Sequence, residues 1–379
     1  MPLPDLVGIT AFTSQANRAY EVAAHFRNLG VPVVMGGIHA TMCLDEVMER
    51  VDSVVIGEAE GVWLDVLDDV QHGCLKNLYE GGLAEVGNIP AARHDLLPAE
   101  YAFGAIQTTR GCPLNCSFCS VTAFNGTHYR MRPIADVVRE FQMIREKRVL
   151  IVDDNLVGIR SEHITRAKDL FRAMIKAKVK KEWIAQATIN FADDEELLDL
   201  AAKAGCRGVF IGFESPTPEG LRELSKKFNI QQGRDFRASV RQIQRHGILV
   251  AGSFIIGLDI DEPGIGKHVA KTASQYGVDH LNALFLTPLP GTRLWDQMKT
   301  DGRIVFNSFP DDWKYYTLTY PVAQYKHLSL DDISEEMLSC DRTFYSIPRI
   351  LRRVWSNIWS RRQPLISLVG NLSYRKNLR

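Results

Sequence analysis

Six short runs rich in valine, isoleucine and phenylalanine lie at residues 105–109, 149–152, 183–187, 208–213, 249–256 and 281–286, separated by stretches with helical spacing and by no hairpin signal. Strands that alternate with helices pair in parallel, because a parallel neighbour needs a long crossover and a helix supplies one. The alternation therefore confines this part of the chain to an α/β architecture. Pro133 suits the first turn of one intervening helix, and Ile164, Ala167, Phe171, Met174 and Ile175 form an apolar stripe in the next. Acidic residues 193–196 open a third helix, with Gly205 at its far end. In parallel α/β folds the reactive groups gather at the carboxyl ends of the strands.

Cys112, Cys116 and Cys119 occupy that position after the first run, in a C-x3-C-x2-C spacing. Three thiolates so placed can converge on one iron-sulfur cluster. A cubane has four irons and is ordinarily held by four cysteines, so a three-cysteine site leaves one iron open to a substrate, much as catalytic zinc keeps an open position. The spacing points to reactivity. Two other readings exist. Structural zinc would take His128 as a fourth ligand, although zinc motifs usually come as paired C-x2-C knuckles. A disulfide framework fits poorly with seven cysteines, an odd number, and no secretory signal. Cys43, Cys74, Cys206 and Cys340 show no ligand spacing, and Cys206 reads as a small buried group ahead of a strand.

Around the triad, with Phe118 as the aromatic residue before the last cysteine, the sequence resembles the radical S-adenosylmethionine (SAM) enzymes. The resemblance implies a partial (β/α)6 TIM-like barrel over residues 101–305 and a 4Fe-4S cluster on Cys112, Cys116 and Cys119. It further implies that the open iron chelates SAM, which is cleaved reductively to methionine and a 5′-deoxyadenosyl radical. The electron would come from an external reductant such as flavodoxin or ferredoxin. The likeness continues at Asp153, Asp154 and Asn155, whose oxygens suit the SAM amino group; a helix cap or turn is the plainer reading. Glu214 and Ser215 match a fourth-strand pair that contacts SAM, while Ser215 ahead of Pro216, Thr217 and Pro218 also reads as a helix entry. Gly252 and Gly257 match the fifth strand, where glycine admits a ligand or tight packing. Thr287 begins a loop that in the family borders the adenine. Gln186 and Thr188 point into the barrel or satisfy polar core groups. Arg110 offsets cluster charge, pairs with Glu214, or bridges elsewhere.

Ahead of the barrel, short strands near residues 6–10, 31–37 and 53–58 alternate with helices in a doubly wound (Rossmann-like) pattern. With the glycines at 36, 37 and 57, residues 1–75 resemble the latter half of the cobalamin-binding domain of one large radical SAM subfamily, and residues 76–100 read as a linker. The D-x-H-x-x-G loop that can supply a cobalt ligand is absent, so cobalamin is a doubtful cofactor. Three strands alone leave a sheet edge and an apolar face uncovered, which implies either a truncated product or a half-domain leaning on the barrel or a second subunit. His39 is expected in a loop near the nucleotide tail. Gly36 and Gly37 are the expected backbone contacts to that tail, or else a strand-ending turn.

Residues 306–379 read as an extension. Aromatic residues 311–320 could close the barrel's mouth, and beyond Asp341 there are nine Arg or Lys residues and no acid. There Ile350, Leu351, Val354, Trp355, Ile358 and Trp359 recur at helical spacing. Such a helix either docks on a membrane surface or packs on the barrel with its basic face in water. The 45 basic and 45 acidic residues cancel, which speaks against a nucleic-acid partner, and no apolar run is long enough to span a bilayer. The expectation is a cytoplasmic protein, peripheral at the inner membrane surface if the membrane reading holds. Three functions fit: a methyltransferase acting at an unactivated carbon of a lipid or other secondary metabolite, a ring cyclase of the porphyrin monomethyl ester type, or a non-catalytic iron-sulfur module.

Overall fold

The computed structural model describes residues 3–98, 101–230, 233–360 and 364–376. Along the chain the strands are β1 Val7–Thr10, β2 Val33–Gly36, β3 Ser53–Gly57, β4 Leu78–Gly82, β5 Gly104–Ile106, β6 Thr109–Arg110, β7 Arg130–Met131, β8 Arg148–Ile151, β9 Glu182–Ala187, β10 Cys206–Glu214, β11 Leu249–Ile256 and β12 His280–Phe285. The helices are α1 Ala16–Asn28, α2 Gly37–Met42, α3 Leu44–Met48, α4 Trp63–Gln71, α5 Ser120–Asn125, α6 Ile134–Met143, α7 Ser161–Lys176, α8 Glu195–Lys203, α9 Pro218–Glu223, α10 Lys227–Ile230, α11 Phe236–Arg245, α12 Ile265–Tyr276, α13 Arg293–Thr300, α14 Leu330–Phe344, α15 Ile347–Ser360 and α16 Pro364–Lys376. They form two compact units, one of Met1–Ile89, Ser117–Gly126 and Thr287–Gln324, the other of Pro90–Cys116, Thr127–Leu286 and Tyr325–Arg379.

The first unit is built on a parallel sheet in the order β1-β2-β3-β4. Val33, Met35 and Val54 point to one face and pack with Ala16, Tyr20 and Ala23 of α1 and with Trp313, Tyr316 and Val322. The alternate residues Val34 and Val55 point to the other, where Val66 and Trp63 of α4 and Tyr79 of β4 cover them. The period of two thus fills both faces. Two expectations change. The stretch read as a linker contains a fourth strand, and among the described residues both faces of the sheet carry packed side chains. The aromatic segment read as part of a C-terminal extension is core of this unit, because Phe309 and Trp313, stacked at 3.7 Å, have large rings to bury.

The second unit is the expected barrel, an all-parallel sheet in the order β12-β11-β10-β9-β8-β5 with helices on its outer face. Trp183 stacks on Phe171 of α7 at 5.4 Å, and Phe213 and Phe254 meet Phe236 of α11 and Tyr276 of α12. These contacts identify the helix-covered face of β9, β10 and β11. On the opposite, concave face Leu150, Val152 and Ile184 are exposed, an apolar lining without helix cover. A two-stranded antiparallel ribbon outside the main sheet pairs Thr109 with Met131 and Arg110 with Arg130 across the cysteine loop and α5. The C-terminal helices belong to the same unit. The Tyr345 hydroxyl accepts from the Leu281 amide at 3.0 Å and donates to the Leu281 carbonyl at 2.6 Å, occupying the free edge of β12.

Candidate functional site

The cysteine loop leaves β6 through Gly111, whose φ of 85° suits a residue without a Cβ. Cys112 and Cys116 fall in the second unit, and Phe118 and Cys119 in the segment grouped with the first. What sets the loop's origin is the turn after β8. Asp153 is fully buried, and its Oδ1 accepts the amides of Thr108 and Thr109 while Oδ2 accepts the Thr108 hydroxyl. Burial raises its pKa against the pull of those hydrogen bonds. With both oxygens engaged, Asp153 is a backbone clamp; the expected contact with the SAM amino group gives way to the turn reading. Asp154 accepts the Gly111 amide at 2.9 Å, one residue before Cys112. Asn155 Oδ1 accepts from the Thr188 amide and hydroxyl, both at 3.3 Å, while its buried Nδ2 has no partner among the described residues.

Beneath this turn lies a brace that the sequence reading missed. Arg132 pairs with Glu140 at 2.6 Å, both nearly buried, and donates to the Gln107 carbonyl, while Arg166 donates to the carbonyls of Thr108 and Arg132. His94 shares Glu140 at 3.1 Å. Arginines among polar residues read as surface charges, and only the fold turns them inward.

Glu214 ends β10 beside a bulge, with φ of 68° although it is not glycine. A left-handed conformation at a non-glycine residue stores strain that the surroundings must hold in place. Here they do so with a buried ion pair, Lys226 Nζ to Glu214 Oε1 at 2.8 Å, the two side chains 8% and 9% exposed. Burial alone would lower the Lys226 ammonium, but the charge and hydrogen bond of Glu214, with the negative charge that Cys116 and Cys112 carry when ionised, outweigh it and hold its pKa raised. Lys226 was not singled out from the sequence, where it stands in Ser225-Lys226-Lys227 and resembles any solvated pair. Arg110, considered as a partner for Glu214, donates instead to Gln107 at 2.7 Å.

Other expected contacts sort differently. Ser215 Oγ accepts the Thr217 amide, the helix-entry role, and Thr217 caps α9. A Cβ on Gly252 would sit 3.1 Å from the Phe213 ring and Val278, so this glycine serves packing. Gly257 has φ of 108°, and a Cβ there would strike Tyr325 and Ile333; its amide is held by Asp261. Thr188 is satisfied by Asn155 and Asn190, whereas Gln186 is exposed. Thr287 is buried directly after β12, Phe118 is half-buried and His128 exposed. Cys206 is buried at the start of β10, as expected.

In the first unit, His39 lies in α2, not in a loop, and is fully buried. Its Nε2 meets the Tyr20 hydroxyl at 2.8 Å, and its ring packs edge-on against Trp313. Glu46 receives Tyr20 and Trp313 Nε1. Burial works against the Glu46 charge, but hydrogen bonds from His39, Tyr20 and Trp313 outweigh it and lower its pKa. His39 is a core polar group. Gly37 has φ of 85°, and a Cβ on it would lie 2.3 Å from Thr10 Oγ1. The close approach expected at Gly36 and Gly37 is therefore, at Gly37, to the chain's own β1.

The donors suit a cubane. None of the three cysteines is in a disulfide, Cys116 is buried, the Lys226 ammonium lies near Cys112 and Cys116, and Asn155 Nδ2 has no partner among the described residues. Among the described residues no three His, Cys, Asp or Glu side chains gather about one point as a single ion would need; in a cubane each thiolate binds a different iron.

Comparison with known proteins gives the family of the chain. Residues 106–264 match the radical SAM superfamily and residues 3–67 the B12-binding domain. An uncharacterised methyltransferase of Pyrococcus horikoshii is 30% identical over 92% of this chain and 80% of its own length. The bacteriochlorophyllide d C-12(1)-methyltransferase of Chlorobaculum tepidum is 28% identical over 92% of this chain and 76% of its own. The solved radical SAM methyltransferase TsrM of Kitasatospora setae, with cobalamin and a [4Fe-4S] cluster bound, superposes with a TM-score of 0.66 at 22% identity, over 79% of this chain and 67% of its own.

Proposed function

Since the chain belongs to the radical SAM superfamily, in the branch with a B12-binding domain, and is an enzyme of methyltransferase type, we propose that it methylates an unactivated carbon of a lipid or other secondary metabolite. In this reading Cys112, Cys116 and Cys119 hold a 4Fe-4S cluster whose fourth iron takes SAM. When bound, the cluster would supply one electron for reductive cleavage of one SAM, the 5′-deoxyadenosyl radical would take the substrate's hydrogen, and cobalamin would carry a methyl group drawn from a second SAM.

The residues of this chain have separate tasks. Asp153 and Asp154 hold the backbone on which Cys112 begins, so the ligand loop keeps its origin. Lys226 and Glu214 present opposite charges side by side next to Cys112 and Cys116, the complement of a zwitterion such as the amino-acid end of SAM. Asn155 Nδ2 offers one further donor. The apolar concave surface of Leu150, Val152 and Ile184 limits water near a reactive radical. His39 is no cobalt ligand, since its ring is buried among Tyr20, Glu46 and Trp313. A one-electron donor such as flavodoxin or ferredoxin would serve as reductant.

The clamp of Gly111 by Asp154, one residue before a cluster-spaced triad, carries this reading. Anaerobic reconstitution with iron and sulfide, then SAM and dithionite, is expected to yield 5′-deoxyadenosine, with Cys116→Ala abolishing it. A fully loaded protein that gives none with any candidate substrate would sink the radical reading. A hydroxocobalamin absorbance titration tests the carrier. A ring-closed product with no added methyl would replace methyl transfer by cyclisation.

A further inference from the structure

Helix α16 is folded inside out. Its polar residues Ser367 and Asn371 are fully buried, while Leu365, Val369 and Leu372 are 74%, 64% and 44% exposed. The buried side is anchored by polar contacts: Asn371 Nδ2 donates to the carbonyls of Asp279 and Ser367, and its Oδ1 accepts Arg353 Nη2 at 2.6 Å. Gly370 lies where a Cβ would strike the His280 ring. The helix cannot turn its leucines inward without breaking these contacts. At about 100° per residue, Leu365, Val369 and Leu372 share one outward stripe.

The neighbouring helix repeats the pattern. α15 packs beside α16, and its Ile347, Leu351 and Trp355 are 45%, 61% and 65% exposed. Spaced by four, they fall within about 80° of arc, with Arg352 about 60° beyond Trp355 and with Arg349 and Arg353 on the opposite side of the helix. Ile358 and Trp359 continue the stripe in sequence, but their side chains lie outside the described residues. Beside α15 opens a cleft of about 1080 Å³ lined by Arg237 and Arg241 of α11, Lys271 of α12, and Arg349, Arg352 and Arg353 of α15; Asp235 is the one acid in its lining. Arg237, Arg241, Lys271 and Arg352 make no ion pair among the described residues.

We propose that α15 and α16 form a docking face for an anionic lipid bilayer, the apolar stripes entering the interface while Arg352, at the margin of the basic cleft, meets phosphate headgroups. Isolated exposed leucines are ordinary, but two adjacent helices exposing apolar stripes beside cations are not. Charge decides between occupants. A second copy of this chain would bring the same cations to its own, with no acid after Asp341 to meet them, whereas an anionic leaflet supplies the complement. Tryptophan at the margin of such a face suits the headgroup level.

The test is co-sedimentation of the full chain, without cluster or SAM, with vesicles of phosphatidylcholine alone or mixed equally with phosphatidylglycerol. Binding is expected to the mixed vesicles, to weaken with salt, and to fall about fivefold for Arg352→Gln, whereas Arg349→Gln, on the far side of α15, should change it little. Leu365→Ser with Val369→Ser and Leu372→Ser should remove it while the melting temperature holds. Should that triple variant fold poorly, the single change Val369→Glu must still cut binding several-fold. No binding to the mixed vesicles, or equal binding by the Val369→Glu protein, overturns the proposal. So does a concentration-dependent dimer that Val369→Glu dissolves.

Discussion

Replacing Lys226 with methionine strands a carboxylate. Glu214 Oε1 lies 2.8 Å from the ammonium, and both groups are nearly buried. At an effective dielectric near 20, a pair at that distance attracts by about 6 kcal/mol, which desolvation of two ions largely offsets. Removing one partner leaves the desolvation without the attraction, so Lys226→Met and Glu214→Gln should each cost about 3–5 kcal/mol. Removing both at once should cost far less than the sum, because neither charge is left buried alone. The coupling energy in the double-mutant cycle should therefore be about 3 kcal/mol. Urea unfolding of the reduced, metal-free protein under nitrogen reads all four corners, with the slope m confirming that the same surface unfolds. The reasoning is refuted if the single changes cost under about 1 kcal/mol each or if the two add.

Three other outcomes are expected. Burial raises the Asp261 carboxyl to about 6, so between about pH 4 and pH 6 the folded chain holds a proton that the unfolded chain has released. Stability should fall as pH rises through that window, by about 3 kcal/mol from this group; Asp261→Asn, whose amide oxygen can still accept from Gly257 and Leu258, should remove that part of the slope in denaturation curves taken at each pH. Gly37→Ala places a methyl group against Thr10 Oγ1 at a positive φ and should cost about 2–4 kcal/mol, with Thr10→Ala recovering the steric part in the same assay. Asp153→Ala removes the acceptor of three buried hydrogen bonds and should lower iron and sulfide occupancy after reconstitution; full occupancy would show that the clamp does not set the loop.

The barrel was legible because its strands carry unmistakable apolar runs, and β9 to β12 fall within two residues of where those runs predict them. β4 was not, since Leu78, Tyr79, Glu80, Gly81 and Gly82 hold two glycines and a charge and pair only because β3 offers an edge. The cysteine spacing is local and survives any fold. The roles of its neighbours are not local. Asp153 looked like a ligand because its type suits one, yet the amides of Thr108 and Thr109, over forty residues away in sequence, claim it first. Lys226 lay hidden for the opposite reason: nothing in Ser225-Lys226-Lys227 marks one lysine as buried, and only the return of the chain after α9 brings it to Glu214.

The turn after β8 has a further consequence, for assembly. Fixing one backbone residue costs about 1–2 kcal/mol of conformational entropy, and Asp153 and Asp154 already fix Thr108, Thr109 and Gly111 in the folded chain. That share of the ordering cost falls on folding, when the hydrophobic core forms, and would not fall on uptake of the proposed cluster. If Cys112, Cys116 and Cys119 hold the proposed cluster, its removal should leave Thr108, Thr109 and Gly111 held by Asp153 and Asp154.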